Sequence, residues 1–273
     1  MSPSAPSLPH RALQGCGRLG AAPRKFLQGL GSAAWLAGLA FRQLLRLRMD
    51  QVGVVAEQTL LQVRFTALQA LPLTLLAALL LGGITLLQVF GQLSSFGAEA
   101  YLSQLLARLV IRELGPLLVG IIVIARSGTA IAAEMASIQL SGEVDALSAT
   151  GVDPVQFLLV PRVLGGMISV FTLVVFFDAA ALLGGFAVAA LRVELSLPFF
   201  LEALGQALGG RELAITAAKA LLFGALVPLL CAGFGLRVGR SSTEIPQAVT
   251  RAAVISLVSV LLASAFLSVA LYG

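Results

Sequence analysis

The chain has 273 residues, of which 58% are hydrophobic and only 11% charged. A soluble domain carries about 25% charged residues, so this composition excludes one and points to an integral membrane protein. The net charge of +5 comes mostly from arginines that flank apolar runs, the pattern that orients membrane helices and meets anionic headgroups, so nucleic acid is not the expected partner.

Residues 1–25 are Pro/Ser/Gly-rich and basic, with no apolar core ahead of a small-residue cleavage site, and read as a disordered cytoplasmic tail. Residues 26–48 mix Leu, Phe and Trp35 with Arg42, Arg46 and Arg48. Arg42 and Arg46 share a helix face, which fits an amphipathic helix lying in the membrane interface better than the alternative, a short first transmembrane helix with Gln28, Gln43 and arginines crowding its ends. Five apolar stretches follow, at 66–90, 105–131, 163–191, 213–236 and 249–272. Each is long enough for a helix of about 20 residues to span the hydrocarbon. The fold class is therefore all-α, with one interfacial helix and five transmembrane helices. Glycines inside the spans, such as Gly82-Gly83 and Gly184-Gly185, predict close helix contacts. Basic residues crowd the region before the first span and the loop after the fourth, which predicts a cytoplasmic N-terminus and, across five spans, a C-terminus on the outer side. The segment at 192–212 then falls outside, as a short amphipathic helix.

Between the second and third spans stands a polar interruption with Glu134, Glu143, Asp145 and Asp153. Ser141 is placed to cap a short helix, with Glu143 in its first turn, where the helix dipole favours an anion. Leu140, Val144 and Leu147 repeat at helical spacing and predict one apolar face. Gly151 is suited to the C-terminal end, and Asp153-Pro154 stops the helix. An acidic, amphipathic helix on the cytoplasmic side is a shape that docks in a partner's groove, and equally one that lies on its own protein as a surface connector.

Charges also fall at membrane depth: Arg112, Glu113, Asp178 and Lys219. A charge at a helix centre costs on the order of 2.5–3.5 kcal/mol on insertion scales, so such residues face a cavity or a partner group. Asp178 is expected to pair or to make a capped polar contact. Arg126 and Glu134, nearer the cytoplasmic face, are expected to pair or to position the acidic segment. The two cysteines stand far apart, and His10 is the only histidine, so neither a disulfide framework nor a metal site is expected.

The ordered series Arg112-Glu113-Leu114-Gly115-Pro116, Ala125-Arg126-Ser127-Gly128, Ala133-Glu134, Glu143-Val144-Asp145-Ala146-Leu147, Gly151-Val152-Asp153-Pro154 and Val160-Pro161-Arg162 resembles the MlaE/YrbE family of ABC-transporter permeases. Asp178, Lys219, Phe223-Gly224, Cys231 and Thr250-Arg251-Ala252 continue the match. The resemblance implies a permease domain over 26–273 that moves phospholipid or a related lipid between the inner and outer membranes of a diderm bacterium. It implies a coupling helix carrying Leu140, Glu143, Val144, Asp145, Leu147 and Asp153, which engages an ABC ATPase. It implies a lipid pocket at Arg112, Glu113 and Lys219, and structural roles for Arg126, Glu134, Asp178, Arg162 and Arg251. Further implied partners are a second copy of the chain and an MCE-domain subunit, with lipid as cargo. The chain has no GxxxxGK[ST] phosphate loop, so it is read as non-catalytic, with ATP and Mg on the ATPase and no cofactor of its own. Gly142 stands where relatives carry an acidic residue, and glycine is expected to weaken the short helix by up to about 1 kcal/mol. The alternative function is a secondary transporter or channel using the intramembrane charges. It predicts inverted repeats, which five spans do not divide into. An intramembrane enzyme lacks a nucleophile–base set.

Overall fold

A computed structural model describes residues 52–93, 110–192, 209–239 and 241–272, together with positions 198, 202 and 205. The tail at 1–25, the interfacial helix predicted at 26–48, the start of the second span at 105–109 and most of the 192–212 segment lie outside the described residues. Every regular element among the described residues is helical. In chain order the α-helices are α1 (Val52–Val63), α2 (Gln69–Leu93), α3 (Gly115–Val123), α4 (Thr129–Leu140), α5 (Glu143–Ala149), α6 (Val160–Arg192), α7 (Gly210–Gly235) and α8 (Ile245–Tyr272).

Among the described residues, five helices are long and apolar enough to cross a membrane: Gly53–Gln88, Val110–Leu140, Val155–Leu191, Gly210–Gly235 and Ser242–Leu271. Their number agrees with the sequence reading; several ends do not. The first begins at Gly53 and not 66, the second runs on to Leu140 and not 131, and the third starts at Val155 and not 163. The added turns carry Glu57, Gln58, Gln62, Glu134 and Arg162. An apolar window stops at the first polar residues, whereas the backbone ladder continues wherever side chains still pack.

Among the described residues, three of the spans contain wide turns with one residue more than an α-turn holds, at Arg64–Leu68, Val110–Leu114, Ile124–Gly128 and Val155–Leu159. The second span shows why. Its buried positions come in pairs: Val110-Ile111, Gly115-Pro116, Val119-Gly120, Val123-Ile124, Ser127-Gly128, Ile131-Ala132 and Met135-Ala136. After one step of five, the pairs repeat every four residues. Each step of four overruns a 3.6-residue turn by about 40°, so a straight α-helix would carry this seam away from its neighbours. Each wide turn takes up one surplus residue and returns the seam by roughly 100°.

The long α6 packs on α1, α2, α3 and α7, and α7 in turn packs on α4 and α8. Glycines set the closest crossings. A methyl group at Gly82 would overlap the backbone of Ala181, and one at Gly184 would overlap Leu79, so α2 and α6 approach on both glycines. Gly166 and Gly224 do the same for α6 and α7. The outward faces carry exposed Leu76, Leu80 and Ile84 on α2, Phe171 and Val175 on α6, and Leu262, Phe266 and Val269 on α8. Apolar cover on this scale belongs against lipid.

Candidate functional site

The wide turn Val110–Leu114 places Arg112 and Glu113 against α7 and α8. Lys219 of α7 has no exposed surface, and its Nζ donates to Glu113 Oε1 and Oε2 at 3.0 Å each, to Ser268 Oγ at 2.9 Å and to the Arg112 carbonyl at 3.2 Å. Ser268 Oγ also lies within hydrogen-bond distance of both Glu113 oxygens, at 2.9 and 3.1 Å. Arg112 Nε stands 3.6 Å from Glu113 Oε1, and the Arg112 and Glu113 side chains are 26% and 31% exposed. Thr216 of α7 donates to the carbonyl of Ile111. A buried ammonium needs an anion and filled donors, and Lys219 has both. That corrects one expectation: the Lys219 ammonium is occupied inside the bundle, not presented to a lipid phosphate. Arg112 and Glu113 form the exposed rim of the cluster. Ser268 and Thr216, which complete it, carry no signal in a serine- and threonine-bearing apolar helix.

Asp178 does not join Lys219. It lies against Gly115, where a methyl group would overlap its carboxylate, and its buried Oδ1 makes no hydrogen bond. The expected pair or capped contact is absent at that oxygen, and the buried lysine is bonded to Glu113.

At the other end, α5 is a seven-residue helix between two left-handed glycines, Gly142 at φ 76° and Gly151 at φ 79°. Gly151 closes it as expected: the Val152 N–H donates to the Leu147 carbonyl and the Gly151 N–H to that of Ser148, both at 3.1 Å. The start differs. Ser141 is not the cap; it ends α4, and its Oγ donates to the Ile138 carbonyl and reaches Glu143 Oε1 at 2.7 Å. Gly142 makes the reversal, so the residue expected to weaken the helix is the one whose backbone permits it. Leu140 consequently belongs to α4 and not to the face of α5. Val144 and Leu147 are half-buried and pack on the bundle's own core, leaving Glu143 and Asp145 exposed. The apolar side of α5 is thus used internally, and the acidic side faces outward. Asp153 caps the third span: its Oδ1 accepts from the N–H groups of Val155 at 2.9 Å and Gln156 at 3.4 Å, with Pro154 following.

Glu134 and Arg126 each find a partner other than one another. Arg162 Nη2 donates to Glu134 Oε1 at 2.8 Å, and Arg162 Nη1 donates to the Leu158 carbonyl at 2.8 Å, tying α4 to α6 beneath α5. Arg126 Nη1 donates to the Phe65 carbonyl at 3.0 Å and Nη2 to Gln69 Oε1, while the guanidinium lies 5.5 Å from the Phe65 ring centre. An open cleft of about 440 Å³ lies beside α5, lined among others by Gln58, Glu134, Glu143, Leu147 and Arg162. Arg251 lies exposed on α8.

The sequence profile of the family described as Permease MlaE matches residues 59–270. A probable ABC transporter permease of Rickettsia typhi is 28% identical over 88% of this chain and 91% of its own. The intermembrane phospholipid transport system permease MlaE of Haemophilus influenzae is 33% identical over 45% of this chain and 48% of its own. The chloroplastic protein trigalactosyldiacylglycerol 1 of Arabidopsis thaliana is 27% identical over 77% of this chain and 60% of its own.

Proposed function

The chain belongs to the MlaE permease family, and on that premise we propose that it is the membrane subunit of an ABC transporter that moves phospholipid or a related lipid between two membranes. It is a multi-pass membrane permease; the cargo, the motor and the direction of the termini belong to the proposal. The name of the Haemophilus relative, a phospholipid transport permease, supports a lipid cargo.

The observation that carries the reading is α5, seated on the bundle by Val144 and Leu147 with Glu143 and Asp145 turned outward. A separate ATPase subunit engages that acidic side and supplies ATP and Mg. The basic N-terminal region then lies in the cytoplasm of a bacterial inner membrane, the C-terminus lies in the periplasm, and Arg112 and Glu113 stand toward the outer leaflet. There they rim the lipid path, with Lys219 holding Glu113 in place. A second copy of the chain and an MCE-domain subunit complete the assembly.

Purification from a diderm host in mild detergent tests the reading. An ATPase subunit and phospholipid are expected to co-purify with the chain. A chain that purifies alone, with no lipid detected by mass spectrometry, would contradict it.

A further inference from the structure

Each of the four wide turns offers a carbonyl to a side chain. Arg126 takes that of Phe65, Thr216 and Lys219 take those of Ile111 and Arg112, Thr129 takes that of Ala125, and Arg162 takes that of Leu158. Each of these bonds ties a carbonyl of a wide turn to a side chain, and so braces the turn. Arg126 differs from the others in lying within one wide turn, Ile124–Gly128, while bonding a carbonyl of another, Arg64–Leu68.

We propose that Arg126 is a positioning residue: it clasps the wide turns of the first and second spans together and so sets the rotation of α4, which carries α5. Three contacts converge on the one guanidinium: the Phe65 carbonyl, the Gln69 side-chain amide and the face of the Phe65 ring. Thr129, one turn on, donates to the carbonyls of Ala125 and Arg126, so the arginine's own turn is held from within the span. The rotation matters because the seam beyond the turn is narrow. Gly235 of α7 meets Ala132, Met135 and Ala136, and a methyl group there would overlap them. Losing one wide turn would rotate that face by about 100° away from Gly235 and carry α5 with it. The Phe65 and Gln69 acceptors are uncharged, so releasing the clasp strands no carboxylate, which suits a joint that is made and unmade. The functional weight of α5 rests on the transporter reading above; the clasp itself does not.

Distances between spin labels test it on the purified permease in nanodiscs, with no ATPase present. One pair joins exposed Leu61 of α1 to exposed Ser148 of α5, and a control pair joins exposed Val175 of α6 to exposed Leu221 of α7. Cys16→Ser removes one native thiol, and Cys231 is buried. Arg126→Gln is expected to at least double the width of the first distribution and leave the control unchanged. Arg126→Lys, which reaches one acceptor, is expected to fall between. An unchanged first pair overturns the proposal, and so does widening of both pairs, which marks general loosening. Where Arg126→Gln does not fold, Gln69→Leu takes its place with the same two readings. Because no ATPase enters the measurement, its failure is distinct from failure of the transporter reading.

Discussion

Lys219 is a fully buried cation whose neighbours satisfy it, and its cost and its benefit are both large. Removing one partner of a buried ion pair costs about 3–5 kcal/mol, because the other charge is left without an anion or cation. Lys219→Met is therefore expected to lower the permease's unfolding midpoint sharply in thermal or SDS denaturation. Adding Glu113→Gln is expected to restore part of the loss, since it removes a carboxylate left with Arg112 as its one remaining cation in the cluster; a double variant no more stable than the single one would count against the pairing. The sequence marks Arg112, Glu113 and Lys219 as exceptional because charge in an apolar run is rare. It does not mark which of them is buried, because Glu113 and Lys219 meet only through packing of the second span on the fourth. Asp178 shows the same limit: a carboxylate in a span invites a partner, and only the three-dimensional arrangement reveals that Glu113 has the lysine.

Two glycines with positive φ bound α5, and they make it an element of fixed position rather than a loose connector. A side chain in the left-handed region costs roughly 1–2 kcal/mol. Gly142→Val is thus expected to speed amide hydrogen exchange across Glu143–Ala149 about tenfold, the equivalent of ~1.4 kcal/mol, while leaving exchange in α7 unchanged. Unaltered exchange would mean that the turn does not depend on glycine. Gly151 was legible because a glycine after a helical repeat, followed by Asp-Pro, has one natural reading. Gly142 was not, because the same residue weakens a helix interior and enables a reversal, and spacing alone cannot separate the two. The spans themselves were legible by length and composition. Their inner ends were not, since Glu134 and Arg162 neutralise one another across α4 and α6 and let both helices continue past the apolar window. The wide turns were not legible: Gly128, Ala132 and Ala136 recur every four residues, but an ordinary α-helix packs on the same spacing. At the glycine crossings, Gly184→Leu is expected to prevent α2 and α6 from docking and to abolish stable expression; a well-folded variant at normal yield would contradict the close approach.

At the scale of the molecule, a single span links the two ends of the site. The described part of the second span runs from the Glu113 cluster past the Arg126 clasp to the glycine turn into α5. Under the proposed function, that continuity would give a lipid at the rim a mechanical path to a motor at the acidic helix, and it predicts that the two ends can be disabled separately. The most direct measurement is a parallel purification of wild type, Asp145→Arg and Arg112→Glu, with co-purified ATPase and bound phospholipid quantified in each. Asp145→Arg is expected to lose most of its ATPase and keep its lipid, while Arg112→Glu keeps its ATPase and loses most of its lipid. If both variants retain both partners at wild-type levels, the assignment of the two ends, and with it the coupling of lipid to motor through this chain, is contradicted.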